Sequence, residues 1–161
     1  MSEKMDGIRA YWNGEILLSR QGKVIHSPDC FVKGFPSFAL DGELWMGRGS
    51  FQDIIETLNK KNGDWSKIRY FIFDLPGSKQ NFEKRMQELE QLKQQIPSHL
   101  HIVEHIKCLG KQHLESYLDS IITSGGEGIM VREPSSLYTV GFTTSLLKVK
   151  VNLLYYEEMI K

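Results

Sequence analysis

The chain has 161 residues, the length of one domain or of a domain with a small appendage. Hydrophobic residues make up 40% and charged residues 25%, which excludes disorder, a collagen repeat or a coiled coil as a whole-chain description. Lys and Arg number 20, against 20 Asp and Glu, so any nucleic-acid contact must come from a local basic patch rather than from net charge.

The 2 cysteines, Cys30 and Cys108, are too few for a disulfide framework and lack zinc-ligand spacing. No apolar run approaches the ~18 residues of a membrane span. Ser2, Glu3, Lys4 and Asp6 stand where a signal peptide would carry its apolar stretch.

In chain order, residues 8–12 and 16–20 are short apolar-rich runs joined by Asn13-Gly14, a tight-hairpin dipeptide. A second turn at 20–23 leads to a short strand at 24–25. A loop rich in Gly, Pro and Phe over 33–38 precedes a strand at 40–45. Residues 51–61 carry the stripe Ile54, Ile55 and Leu58 and predict a helix, with Ser50 as N-cap, Asp53 in the first turn and Gly63 as its stop. The aromatic run 69–75, closed by Pro76-Gly77, predicts a buried strand.

Phe82, Met86, Leu89, Leu92 and Ile96 recur at helical steps and predict a helix over 82–96, ended by Pro97. A strand at 100–106, a helix at 113–123 stopped by Gly125-Gly126, and strands at 128–132 and 146–151 follow. Strands and helices mix without strict alternation, so the fold class is α+β.

Several segments carry chemistry. Lys4 precedes the first strand, with Asp6, Gly7 and Arg9 beside it. A lysine nucleophile must shed its proton, which neighbouring cations or desolvation promote, and Arg9 is one such cation. Asp41 and Glu43 share one face of their strand, where acids are costly unless paired or metal-bound. Glu127 opens a strand after Gly125-Gly126, Lys148 and Lys150 alternate with Leu147, Val149 and Val151, and Phe71 and Phe73 share a face next to Asp74.

Singly, each segment is ordinary: a solvated lysine, a turn, a half-wet strand, core aromatics. Together they supply a nucleophile, carboxylates for a divalent metal, cations for polyphosphate and an aromatic for a base. That set suits attack on a nucleoside triphosphate. His99, His101 and His105 cluster in sequence, but no Cys or acid at ligand spacing completes a zinc site, so surface positions are expected for them.

Taken in order, Lys4-Met5-Asp6-Gly7-Ile8-Arg9, Ser19-Arg20-Gln21-Gly22, Asp41-Gly42-Glu43-Leu44, Phe71-Ile72-Phe73-Asp74, Glu127-Gly128-Ile129-Met130-Val131-Arg132 and Leu147-Lys148-Val149-Lys150 resemble the motifs of the covalent nucleotidyltransferases. These are the ATP-dependent DNA ligases, RNA ligases and mRNA capping enzymes. The flanks Ser2-Glu3, Ala10-Tyr11-Trp12 and Trp45 are most similar to the small bacterial ATP-dependent DNA ligases.

The resemblance implies mainly antiparallel sheets with flanking helices and a nucleotide cleft. It also implies that Lys4 attacks the α-phosphate of ATP and retains AMP. The AMP then passes to the 5′-phosphate of nicked double-stranded DNA, and a 3′-hydroxyl displaces it to seal the strand.

The same resemblance assigns roles. Lys4, Asp6, Lys148 and Lys150 are catalytic, the last two gripping the α-phosphate. Arg9 and Arg20 contact phosphates, and Phe73 stacks on adenine. Glu43 holds ribose or helps with metal, and Glu127 binds Mg²⁺ or Mn²⁺. Ser2 and Glu3 count with these as nucleotide-binding residues, Ser2 standing where many relatives have Glu.

Residues 1–151 are expected to form an N-terminally short adenylyltransferase domain, and 152–161 to begin a linker toward an OB-fold domain. Without that domain, self-adenylylation and sealing are expected to be slow or absent. A monomer without membrane attachment is expected. The compartment stays open between cytoplasm and periplasm, because the resembling bacterial ligases often carry an export signal ahead of the first motif. The alternatives are an RNA ligase or capping-type nucleotidyltransferase, and a truncated non-catalytic nucleotide- or DNA-binding module.

Overall fold

In the computed structural model, residues 1–150 are described. They form nine strands and four helices: β1 (Ser2–Glu3), β2 (Ile8–Trp12), β3 (Leu17–Ser19), β4 (Val24–Ile25), α1 (Asp29–Val32), β5 (Leu40–Trp45), α2 (Phe51–Asn59), β6 (Arg69–Asp74), α3 (Phe82–Leu92), β7 (Leu100–Ile102), α4 (Lys111–Thr123), β8 (Ile129–Arg132) and β9 (Leu146–Val149). A 3-10 turn spans Trp65–Lys67. The expected linker over 152–161, and Val151 at the end of the expected last strand, lie outside the described residues.

Two sheets result, one six-stranded in the order β4-β3-β2-β5-β6-β7 and one three-stranded in the order β1-β8-β9. Neighbours pair antiparallel except β6 and β7, which run parallel. A parallel pair needs a crossover, and α3 supplies it. The β2–β3 hairpin forms where Asn13-Gly14 predicts one, but through a four-residue loop, 13–16, between the paired Trp12 and Leu17, and not through a two-residue turn. Gly14 takes φ +102°, and Asn13 Oδ1 accepts from the amides of Glu15 and Ile16 at 2.9 and 2.8 Å.

Each sheet has its own helix cover and core. On one face of the six-stranded sheet, Trp12, Leu17, Leu40, Leu44, Tyr70, Ile72 and Leu100 pack with Phe31, Trp65, Ile68 and Leu89, and with Met86 and Leu92 of α3. Full burial of such side chains contributes about 1.5–3 kcal/mol apiece. On the three-stranded sheet, Met1 and Ile129 meet Ile121, Leu114, Tyr117 and Leu118 around α4.

Several expectations need correction. Ser50 sits at the α2 N-cap position, but its side chain makes no capping bond; its hydroxyl donates back to Gly47 O instead. The helix expected over 82–96 ends at Leu92, and the chain turns there, with the Gln95 amide on Leu92 O at 2.8 Å. The residues before Pro97 cannot easily continue a helix.

The histidines are not simple surface residues. His99 Nε2 lies 2.6 Å from Phe31 O, and its ring packs on Phe31 at 4.9 Å between centroids. His105 packs edge-on against Phe82 at 5.1 Å. Of these three only His101 is exposed, and it stacks on Phe71 at 5.0 Å. No helix of the described residues is long and apolar enough to cross a membrane.

Candidate active site

The residue that follows β1 and the one that precedes β8 are brought side by side by strand pairing. Ser2 pairs with Met130 and Glu3 with Ile129, and the ladder continues as the Lys4 amide donates to Gly128 O at 2.9 Å. Gly128 has φ +149°, and a Cβ there would lie 2.3 Å from Val149 O. Glycine therefore lets β8 begin flush against β9.

Lys4, Glu127 and Lys150 converge at this point. Glu127 accepts from Lys4 Nζ with one carboxylate oxygen and from Lys150 Nζ with the other. Burial alone would push the Glu127 carboxyl up, but the hydrogen bonds from Lys150 and Lys4 hold it below the usual carboxylate range. It is therefore a carboxylate at neutral pH. The sequence suggested cations next to Lys4; its immediate partner is this acid, which ties it to a second lysine.

The non-core face of the six-stranded sheet supplies the next residues. Arg9 lies opposite Glu43 and Glu43 opposite Phe71 in the strand register. Asp41, with 1% exposure, binds the Arg9 guanidinium through Nε at 3.0 Å and Nη2 at 2.6 Å. This raises the Arg9 pKa, the hydrogen bond being the main cause. The guanidinium carbon stands 5.8 Å from the Phe73 ring centroid. Glu43 is largely buried, which pushes its pKa up to about 7, with the Gly7 amide, Lys4 and Arg9 pulling back. A Cβ on Gly7 would lie 2.4 Å from Leu44 O and 2.8 Å from Glu43 Cγ, so that glycine admits the chain beside the acid.

Lys4, Glu127 and Asp6 line a cleft of ≈ 220 Å³ together with Glu3, Trp45 and Arg48. Arg48 grips Glu3 at 2.8 and 2.9 Å and also donates to Ser124 O. The Trp45 indole N–H is buried with no partner among the described residues. A second depression, ≈ 480 Å³ at the start of α4, is lined by Leu109, Lys111 and His113 and by none of the expected site residues.

Other expected residues stand apart. Ser2 is buried in β1. Arg20 is exposed in the β3–β4 turn, and Lys148 is exposed on β9. Neither makes an ion pair among the described residues. Phe73 and Phe71 are half-buried on the site face, while Tyr70 and Ile72, which alternate with them, face the core. Phe71 is already engaged by His101 and by Trp45, the latter at 5.2 Å, which leaves Phe73 as the aromatic beside Arg9.

Sequence reasoning missed Tyr138, Arg48 and Arg85. Each acts through a partner distant in sequence, and no local spacing marks such a pair. Arg85 is fully buried and donates to Asp74 through Nε at 2.6 Å and Nη2 at 3.2 Å. Its Nη1 reaches Gln80 O and Ser136 O at 2.7 and 3.1 Å.

No three of His, Cys, Asp and Glu converge as a closed metal cage among the described residues. A magnesium ion needs less. It keeps much of its water and binds one or two carboxylates plus substrate phosphates, and the ionised Glu127 with Glu43 near Lys4 fits that requirement.

The same fold occurs in known ligases. A structure titled as a structure–function analysis of Lig E DNA ligases matches with a TM-score of 0.87 and 34% identity over 93% of this chain and 60% of that one. Chlorella virus DNA ligase-adenylate shares the fold with a TM-score of 0.78 and 24% identity, over 92% of this chain and 59% of that one. The DNA ligase of Haemophilus influenzae is 38% identical over 152 residues, 93% of this chain and 57% of the relative. The architecture is thus that of a ligase nucleotidyltransferase domain. The chain belongs to the ATP-dependent DNA ligase domain family, whose model matches residues 1–150. It spans somewhat over half the length of these relatives.

Proposed function

We propose that residues 1–150 are the adenylyltransferase unit of an ATP-dependent DNA ligase, with Lys4 as the residue that carries AMP. The observation that carries this reading is the Glu127 carboxylate holding Lys4 and Lys150 together at the edge of the cleft. Membership of the family supports it, as does the nearby Arg9, Glu43 and Phe73 group.

In the first step, the Lys4 ammonium gives up a proton to water, the neutral amine attacks the α-phosphorus of ATP, and the nitrogen loses a second proton to water as the phosphoramidate forms. An N–P bond forms, the α-phosphorus–oxygen bond to pyrophosphate breaks, and pyrophosphate leaves. Lys150 and Lys148 neutralise charge building on the α-phosphate oxygens. Glu127 keeps Lys4 in place before reaction and releases it to the phosphorus.

Phe73 offers a face to adenine, and Arg9 keeps Nη1 for the nucleotide while Asp41 holds its other donors. The buried Trp45 N–H gains an acceptor when the cleft fills. Glu127 and Glu43 would hold Mg²⁺ or Mn²⁺ together with the nucleotide phosphates. The ion supplies charge neutralisation at the phosphoryl oxygens.

The second substrate in this reading is nicked duplex DNA, whose 5′-phosphate takes the AMP before a 3′-hydroxyl displaces it. The DNA ligase relatives support that choice. An OB-fold domain is the proposed clamp on the duplex, and the chain acts as a monomer.

The test supplies ATP and Mg²⁺ with two nicked duplexes, one all-DNA and one with RNA on the 3′-hydroxyl side. AMP transfer to, or sealing of, the DNA nick supports the reading. Reaction at the RNA nick alone supports an RNA ligase. No sealing even of a pre-adenylylated DNA nick, from which the 3′-hydroxyl need only displace AMP, supports a non-catalytic module.

A further inference from the structure

Tyr138 lies in the connection between β8 and β9, outside every motif of the site. Its hydroxyl donates to Asp41 Oδ2 at 2.8 Å. That oxygen also accepts Arg9 Nη2 at 2.6 Å, while Asp41 Oδ1 accepts Arg9 Nε at 3.0 Å. Asp41 is buried, so its carboxylate requires such donors to remain charged. The Tyr138 hydroxyl stays protonated, because burial and the Asp41 charge push its pKa up.

The connection itself is firmly rooted. The amides of Phe82 and Glu83, at the start of α3, donate to Ser136 O at 2.9 Å and Pro134 O at 3.2 Å. Buried Arg85 adds a third bond, to Ser136 O. The position of Tyr138 is thus set by α3 and by the Asp74–Arg85 pair just beyond Phe73.

We propose that Tyr138 is a positioning residue for nucleotide binding. Through Asp41 it fixes the Arg9 guanidinium beside Phe73, so that the unengaged Nη1 of Arg9 points at the bound nucleotide. This rests on the reading of Arg9 and Phe73 as nucleotide contacts. Two of the three donors to Asp41 come from Arg9 and the third from Tyr138. Loss of the third leaves the ion pair intact but free to swing.

Tyr138→Phe removes the hydroxyl and keeps the ring. Solvent exchange of the Arg9 Nε–H, followed by nitrogen-15 NMR, reports the grip on the guanidinium without any need for catalysis. AMP affinity by calorimetry is measured for the wild-type chain, Tyr138→Phe, Arg9→Ala and the double variant. Loss of one hydrogen bond to a charged group corresponds to roughly tenfold in an equilibrium constant. We therefore expect Arg9 exchange to quicken and AMP to bind about tenfold more weakly in Tyr138→Phe, with no further weakening when Arg9 is already Ala.

Unchanged Arg9 exchange would overturn the proposal. So would an AMP loss of equal size in the Arg9→Ala background, because a merely structural role acts whether or not Arg9 is present. If the wild-type chain bound no AMP, the nucleotide reading would fall. Quickened Arg9 exchange would then still support the hold of Tyr138 on Arg9.

Discussion

Lys4 and Glu127 are ion-paired across the junction of β1 and β8, although 123 positions separate them in the chain. Strand pairing of Ser2 with Met130 sets that meeting, so the pair is a consequence of the fold and not of local sequence. Lys150 occupies the other Glu127 oxygen.

Glu127→Gln keeps the shape of the side chain and removes its charge. AMP attachment to Lys4 is expected to slow by about 10²-fold, the scale of losing one well-placed electrostatic contact. The pair is partly exposed, and such pairs contribute little to stability. The unfolding midpoint should therefore move by no more than a few degrees. Rate by intact mass and midpoint by circular dichroism check both halves; a large fall in the midpoint with unchanged labelling would make Glu127 structural.

The pair formed by Asp74 and Arg85 makes the opposite prediction. Both side chains are fully buried, and breaking such a pair by removing one partner costs about 3–5 kcal/mol. Asp74→Asn should lower the free energy of unfolding in urea by that order. Replacing the two together by apolar residues, as in Asp74→Leu with Arg85→Met, should not recover that loss in full, because Arg132, 3.3 Å from Asp74, and the Leu75 amide lose the same carboxylate. A single variant as stable as the wild type would show that the pair is dispensable.

His105 predicts how stability varies with pH. Burial is the main cause that lowers its pKa from 6.5 to about 4, with the Val103 carbonyl opposing. Between those values the unfolded chain binds a proton that the folded chain refuses. The His105 contribution is accordingly intact above pH 6.5, declines as pH falls toward 4, and amounts to on the order of 3 kcal/mol at most. Glu43, whose carboxyl is raised to about 7, contributes the opposite slope over much of the same window. Urea titrations at stepped pH, wild type beside His105→Phe, should therefore differ by the His105 slope. An equal slope in the variant would assign the effect to other groups.

Much of this fold is legible in the sequence. The hairpin at Asn13-Gly14, the strands β2, β5 and β6 and the amphipathic side of α3 follow from turn chemistry and periodicity, which are local. Motif order marks Lys4 and Glu127, and strand pairing places them in contact. Two kinds of feature were not legible. Short elements such as β1, α1 and the 3-10 turn have too few residues to show a period. Pairings such as Tyr138 with Asp41 or Arg48 with Glu3 depend on tertiary geometry alone. The histidines illustrate the second kind: only packing against Phe31 and Phe82 shows that His99 and His105 are half-buried.

The central claim is that Lys4 accepts AMP. Its most direct test is the intact mass of the chain after incubation with ATP and Mg²⁺, wild type beside Lys4→Ala. The account predicts that AMP gained by the wild type, at whatever rate, is absent from Lys4→Ala, with both proteins folded. A gain retained in Lys4→Ala would contradict it by moving the nucleophile elsewhere.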